Sequence, residues 1–295
     1  MTYQCIQAEK AHDPIEVLCR ALQVARSGLY AWCQRGESAR QRQDAWLLTP
    51  IRACDRVSHG RYGSPRIYQD LRARGLRIGR HRVARLMRLY GIRSCCRRRV
   101  WRASRVVPPA LVAATQLQRV CTATAPNQKW AGDLTYVATR EGLLYVAVLM
   151  DRSSRRIAGW AIDERMTTGL TSHALEMALQ HRGQPTGLVH HSDRGSQYGA
   201  MGYQQRLLAL NIQCSMSRPG NCRDHAVVES VFATLKTELI HQRSWLTRHE
   251  ARAAFFEYLE VFYNRARRHS TLGYLSPAAF ERQATQSMTV STKMG

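Results

Sequence analysis

Trp130-Ala-Gly-Asp133-Leu-Thr-Tyr136-Val-Ala-Thr139-Arg-Glu-Gly142-Leu143-Leu-Tyr-Val-Ala-Val-Leu-Met150 decides the fold. Residues 130–139 alternate loosely in polarity, Arg140-Glu141-Gly142 reads as a turn, and Leu143 to Met150 is an unbroken apolar run of strand length. Ile157 to Ile162 supplies a third strand, so the spacing predicts an antiparallel meander. Downstream the pattern changes to a helix from about Thr167 to His181, a strand at Gly187 to His191, a helix at Gly202 to Leu210 and a strand at Ile212 to Met216, and the rest is helical. Strands followed by alternating helix and strand predict an α/β sheet with helices on both faces.

Upstream, two helical pairs have the spacing of a helix-turn-helix. In the first, Val17, Leu18, Ala21 and Leu22 form an apolar stripe and Arg26 to Trp32 a second helix. In the second, Ser64 is a candidate cap, Pro65 sits in the first turn, Ile67, Tyr68 and Leu71 repeat at helical spacing, and Gly75 ends the helix. A partner helix follows from Gly79 to Tyr90, with Val83, Leu86 and Met87 inward, Arg80, Arg82, Arg85 and Arg88 on the other face, and Gly91 as its stop. Arg97, Arg98, Arg99, Arg102 and Arg105 then open a basic stretch that reads as a linker as far as Pro126.

The charge is lopsided. The 295 residues hold 44 Lys+Arg against 21 Asp+Glu, net +23; residues 1–125 hold 24 against 7 and residues 126–295 hold 20 against 14. Nearly all the cations are arginine, whose planar fork donates paired hydrogen bonds to phosphate. The balance points to DNA as partner, with Arg80, Arg82, Arg85, Arg88, Arg97, Arg98 and Arg99 as candidate contacts. The apolar run at 143–150 is too short to span a bilayer and no signal peptide opens the chain, so the protein is read as cytoplasmic, with no membrane partner. Its nine cysteines are odd in number and form no C-x-x-C repeat, which excludes a disulfide scaffold and a zinc ribbon and leaves reduced thiols.

Three acids lie where a strand ends or a helix begins to face the sheet: Asp133, Asp193 and Glu229. Adjacent central strands bring the first two to one sheet edge, and a helix with Val228, Val231, Phe232, Leu235 and Leu239 as its buried stripe carries the third, with Lys236 two turns on. Such a helix starts after Asp224, a good cap. Carboxylates crowded together repel, and a site built this way suits hard cations: Mg²⁺ or Mn²⁺, as two ions. Spacing alone does not distinguish this triple from unrelated surface acids.

The surrounding motifs do. Trp130-Ala-Gly-Asp133-Leu-Thr-Tyr136, Tyr145-Val-Ala-Val-Leu-Met-Asp151-Arg-Ser-Ser-Arg155 with Gly159-Trp160, and His190-His-Ser-Asp193-Arg-Gly-Ser-Gln-Tyr198 resemble the OrfB-type transposases of the bacterial insertion-sequence 3 family. Ser215 to Ser230 with Thr234-Leu-Lys236, and Tyr263-Asn264-Arg-Ala-Arg-Arg-His269 through Pro277, continue the likeness, which covers residues 59–282. His225 stands where the family usually has Asn, and Val231-Phe232 where it has an aromatic pair. The resemblance implies a retroviral-integrase-type core of ribonuclease H-like fold, a five-stranded mixed sheet flanked by helices and preceded by small all-α helix-turn-helix modules. It further implies that Asp133, Asp193 and Glu229 are the catalytic, metal-binding triad of a transposase that cleaves element ends and transfers strands, with Lys236 on substrate phosphate.

The expected organisation is a helical module at 1–50, a basic helix-turn-helix-like module at 51–95, a basic linker at 96–125, the catalytic core at 126–285 and a flexible tail at 286–295. Two element ends must be held together, so a homo-oligomer on DNA is expected at the bacterial nucleoid. The family also implies an upstream-frame helix-turn-helix protein as a possible partner. Two rival readings are a metal-dependent nuclease without joining activity and a non-catalytic DNA-binding relic. Weaker candidates are His190, His191 and Asp151 near the acids, with Asp151 read as a strand end pairing with Arg155 or Arg156. Asn264, Arg267, Arg268 and His269 form a basic cluster after a helix rich in Phe255, Phe256, Leu259, Val261, Phe262 and Tyr263, whose aromatics are expected in the core.

Overall fold

The alternation at 130–162 folds as its period requires. In the computed structural model, which describes residues 2–95, 123–193, 195–216 and 226–293 (side chains to 286, and not those of 226 and 227), β1 (Lys129–Thr139), β2 (Gly142–Asp151) and β3 (Ile157–Asp163) form the antiparallel meander. β4 (Val189–Ser192) then pairs parallel to β1, and β5 (Gln213–Met216) parallel to β4, giving a five-stranded mixed sheet in the order β3-β2-β1-β4-β5.

Pleat parity sorts the side chains into two layers. Ala131, Val137, Leu144, Val146, Val148 and Met150 face a layer built by α10 (Ala226–Glu238), α11 (Arg248–Phe256) and the π-helical segment Glu257–Tyr263. Trp130, Ala147, Leu149 and Ala158 face α7 (Thr168–Arg182) and α9 (Met201–Ala209), with α8 (Ser196–Gly199) beside them. On that side α7 lies against the backbone of β3: a Cβ at Gly159 would stand 2.2 Å from the carbonyl of Ala174. Only glycine admits such an approach.

The N-terminal half holds α1 (Thr2–Glu9), α2 (Ile15–Ala21), α3 (Arg26–Gln34), α4 (Ala39–Val57), α5 (Ser64–Ala73) and α6 (Arg80–Leu89). Ile6, Cys19 and Leu29 bury one another in a small cluster of α1–α3. α4 starts with a capping box between Ser38 and Gln41 and runs through Pro50, so the boundary expected at residue 50 falls inside a helix. Its stripe of Leu47, Ile51 and Cys54 is buried, and this packing outweighs the missing hydrogen bond at Pro50. Gly63, not Ser64, occupies the cap position of α5: Ser64 is the first helical residue and makes no cap bond.

The second module is continuous with the core. Leu47, Ile51, Ile67, Leu71, Val83 and Leu86 belong to the same buried cluster as the α10 layer, and Tyr62 donates a hydrogen bond to the carbonyl of Ala266 (3.1 Å). At the far end, α12 (Pro277–Lys293) continues past residue 286, where a flexible tail was expected. Glu281 anchors it, accepting from Ser154 (2.6 Å), Arg156 (2.7 Å) and Arg182 (2.6 Å). Cys5, Cys19, Cys33, Cys54, Cys95 and Cys214 form no disulfide, and no described helix is long and apolar enough to cross a membrane. The linker arginines Arg97, Arg98 and Arg99, like the expected cap Asp224, lie outside the described residues.

Candidate active site

The parallel ladder runs Lys129 to Val189, Trp130 to His190 and Ala131 to His191, where it ends; Asp133 lies two residues further along β1 and Asp193 two residues past His191, just beyond β4, and both act electrostatically on the Tyr198 hydroxyl. Asp133 shares its pleat face with Ala131 and Val137, and this is the face that α10 covers. Both aspartates are half-buried. The main-chain amide of Leu134 donates to Asp133 Oδ1 (2.7 Å), and that of Gly195 to Asp193 Oδ1 (2.9 Å). A Cβ at Gly195 would sit 3.0 Å from Asp193 Oδ1, so glycine keeps that carboxylate uncrowded.

Behind the aspartates lies a plug of rings. Tyr198, Tyr203 and His190 pack with centroids 5.6 to 5.8 Å apart, and Tyr203 Oη is 3.1 Å from His190 Nε2. The Tyr198 hydroxyl is buried without a hydrogen-bond partner among the described residues, 3.1 Å from where a Cβ of Gly132 would stand. Burial, with Tyr203, Asp133 and Asp193 nearby, pushes its phenol pKa up. Burial, helped by His191, pushes His190 down to about 4, so this ring is neutral and belongs to the core. His191 bonds through Nδ1 to Ser215 Oγ (3.0 Å).

Glu229 stands exposed in the first turn of α10, and Lys236, also exposed, lies two turns along. Val228, Val231, Phe232, Leu235 and Leu239 are buried, as the stripe predicts. Among the described residues no group of three His, Cys, Asp or Glu side chains stands close enough to hold a metal ion, so Asp133, Asp193 and Glu229 are not gathered as one ligand set in this conformation. The donor chemistry still fits a hard cation: two neighbouring carboxylates, with no thiol and no free imidazole among them.

The basic helix divides in two. Arg82 donates to Asp44 (2.7 Å) and Gln43 (2.7 Å), and Arg85 pairs with the other oxygen of Asp44, so these two guanidiniums tie α6 to α4. Arg80 and Arg88 are exposed. The cluster after the π-helical segment is likewise internal. Asn264 bridges both backbone groups of Ile157 (2.9 and 3.0 Å), Arg267 grips Glu238 with two bonds (2.8 and 2.6 Å), and Arg268 pairs with Asp70 (2.9 Å). Asp151 is fully buried and accepts from the amides of Asn127, Ser153 and Ser154; its own amide bonds the Arg156 carbonyl, so it caps the turn after β2 and does not pair with the Arg155 or Arg156 side chains. Phe256, expected in the core, is more than half exposed.

Sequence reasoning missed Glu238 and Asp44, the anchors of these arginines. Nothing local marks either: Glu238 is the last residue of its helix, Asp44 sits among polar neighbours, and their arginine partners lie 29 and 38 or more residues away.

Comparison with known proteins agrees with this architecture. The family model of an integrase core domain matches residues 123–222, a second integrase core model matches 210–277, and an HTH-like domain matches 41–100. Transposase InsF for insertion sequence IS3A of Escherichia coli (strain K12) is 42% identical over 95% of this chain and 98% of its own length. The insertion element IS600 uncharacterized 31 kDa protein of Shigella sonnei is 43% identical over 91% of this chain and 99% of its own. Among solved structures, the HTLV-2 integrase catalytic core domain in complex with magnesium is similar over 54% of this chain and 99% of that one, at 15% identity and TM-score 0.41. Its two matched modules and its likeness to InsF along nearly its whole length place the chain in the insertion-sequence 3 family of transposases.

Proposed function

We propose that this transposase is a metal-dependent DNA strand transferase in which Asp133, Asp193 and Glu229 form the acidic triad and Lys236 holds a substrate phosphate. The observation that supports the reading is the parallel β1–β4 register, whose continuation beyond Ala131 and His191 would bring Asp133 beside Asp193 on the sheet face that α10 covers. Ionised carboxylates in adjacent positions repel one another, and a divalent cation relieves that repulsion. Asp133 and Asp193 would hold Mg²⁺ or Mn²⁺, with Glu229 completing the set as DNA and metal bind. Two such ions, when bound, would activate the attacking hydroxyl and neutralise charge at the leaving oxygen.

The chemistry is two in-line displacements without a covalent enzyme intermediate. In the first, water attacks the phosphorus at the element's end, the P–O3′ bond breaks, and the strand leaves with a free 3′ hydroxyl. In the second, that hydroxyl attacks another phosphodiester: one P–O bond forms as one breaks, and its proton passes to solvent. Lys236 would orient the phosphate under attack, and the amides of Leu134 and Gly195 hold the two aspartates in position.

The test is incubation of the full chain with labelled DNA carrying the element's end, with magnesium, manganese or chelator, beside Asp193→Asn. Joined strands that require both metal and Asp193 are expected. Nicking without joining would point to a nuclease or to a missing upstream-frame partner, and binding with no product in any condition would sink the catalytic assignment.

A further inference from the structure

Between α10, the end of the π-helical segment and α5 lies a cavity of about 300 Å³ whose lining includes Ser230 but none of Asp133, Asp193 and Glu229. Arg66, Arg155, Arg267, His269 and Tyr263 line it, with serine and threonine side chains around its mouth. The charge balance is uneven. Glu238, the carboxylate in this network, is held by Arg267 at 2.6 Å and stands 3.9 Å from Arg66, whereas Arg155 has no acidic partner among the described residues. His269 adds no negative charge: burial and the guanidiniums of Arg267, Arg66 and Arg155 push it down to about 2, which keeps the ring neutral.

Two further features point to a missing ligand. The Tyr263 hydroxyl, on a side chain only 1% exposed, has no hydrogen-bond partner among the described residues. A buried hydroxyl left so is costly unless something enters to meet it. Arg155 is held at φ +60°, a left-handed conformation disfavoured for a residue with a Cβ, and such strain collects at ligand-binding positions. A tetrahedral oxyanion would satisfy all of this: it accepts from forked guanidiniums and from a phenol, and supplies the negative charge that the pocket lacks.

We propose that this cavity is a phosphate-binding subsite, distinct from the acidic triad, that takes a backbone phosphate of bound DNA. Inorganic phosphate shares the recognised chemistry, and the DNA arm of the test rests on the transposase reading above.

Melting of the full chain at constant ionic strength, with phosphate against chloride, is compared for wild type, Arg155→Gln and Arg155→Lys. Phosphate is expected to raise the wild-type midpoint, Arg155→Gln to abolish that rise and Arg155→Lys to recover part of it. If Arg155→Gln does not fold, phenylglyoxal labelling of wild type replaces it, with phosphate expected to slow modification at Arg155. An equal response in all three proteins, or labelling indifferent to phosphate, overturns the subsite. Salt titration of binding to a random duplex then identifies the source. A loss of about tenfold in Arg155→Gln, with the slope of log affinity against log salt falling by about one, assigns a DNA phosphate. An unchanged slope with phosphate stabilisation retained overturns the DNA assignment and leaves free phosphate as ligand. A wild type that binds no DNA refutes the proposed function, while the melting data still judge the pocket.

Discussion

His190 and His269 are both held neutral by burial, one among tyrosine rings and one beside three guanidiniums. Each has a folded pKa below its unfolded value near 6.5, at about 4 and about 2 respectively. Below pH 6.5 the unfolded chain therefore binds protons that the folded chain does not. The stabilisation is complete above pH 6.5 and is lost as pH falls toward the folded values, by up to ~1.4 kcal/mol per pH unit for each ring. Urea unfolding at pH 7.5, 6 and 5 is expected to show a loss on the order of 4 kcal/mol by pH 5, roughly halved in His190→Gln. A flat profile over that range would mean that the rings are solvated. The place of Asp133 in the first strand was readable from the strand pattern; the surroundings of the histidines were not, since a strand-end His reads alike whether it meets water, DNA or a buried tyrosine.

α10 does two jobs whose residues interleave. Its buried stripe fixes it to the sheet, its exposed side carries Glu229 and Lys236, and its last residue, Glu238, enters a network with Arg267, Tyr258 (2.8 Å) and Arg66. Arg61 adds a bond to the Glu238 carbonyl (3.1 Å), so the end of this helix is clamped by the HTH-like module. Glu238→Ala would leave Arg267 buried and unpaired, a loss of about 3–5 kcal/mol. Glu238→Gln, which keeps the shape and an acceptor, should cost less. Denaturant melts of the two variants check this, and a cost below ~1 kcal/mol for the alanine would show that water replaces the carboxylate. The strands were readable from their period of two, and α5, α6 and α10 from their stripes. α4 was not, because Leu47, Ile51 and Cys54 are set among arginines and glutamines around Pro50. The π-helical segment was not readable for a geometric reason. Its wider turn buries Tyr258, Leu259, Phe262 and Tyr263 and leaves Val261 outside, so a 3.6-residue period misassigns its faces.

At the scale of the whole molecule, charge and packing divide the N-terminal half at the same place. Residues 1–37 hold four Lys+Arg against four Asp+Glu, whereas residues 38–125 hold 20 against 3. The neutral part coincides with α1–α3 and their separate cluster of Ile6, Cys19 and Leu29; the basic part begins at the cap of α4 and packs into the core. Asp44 and Asp70 each pair with two arginines of this half or of the core, leaving most of the positive charge uncompensated. Nonspecific DNA affinity should therefore reside in residues 38–125. For 6–10 phosphate contacts it should fall about 10³–10⁵-fold between 50 and 200 mM salt, and removal of residues 1–37 should leave that slope unchanged. The two proteins are compared on one random duplex across that salt range. A shallower slope in the shortened protein would place phosphate contacts on α1–α3, and equal slopes with weaker binding only to the element's own ends would make those helices readers of sequence, carried on a body that supplies the electrostatic grip.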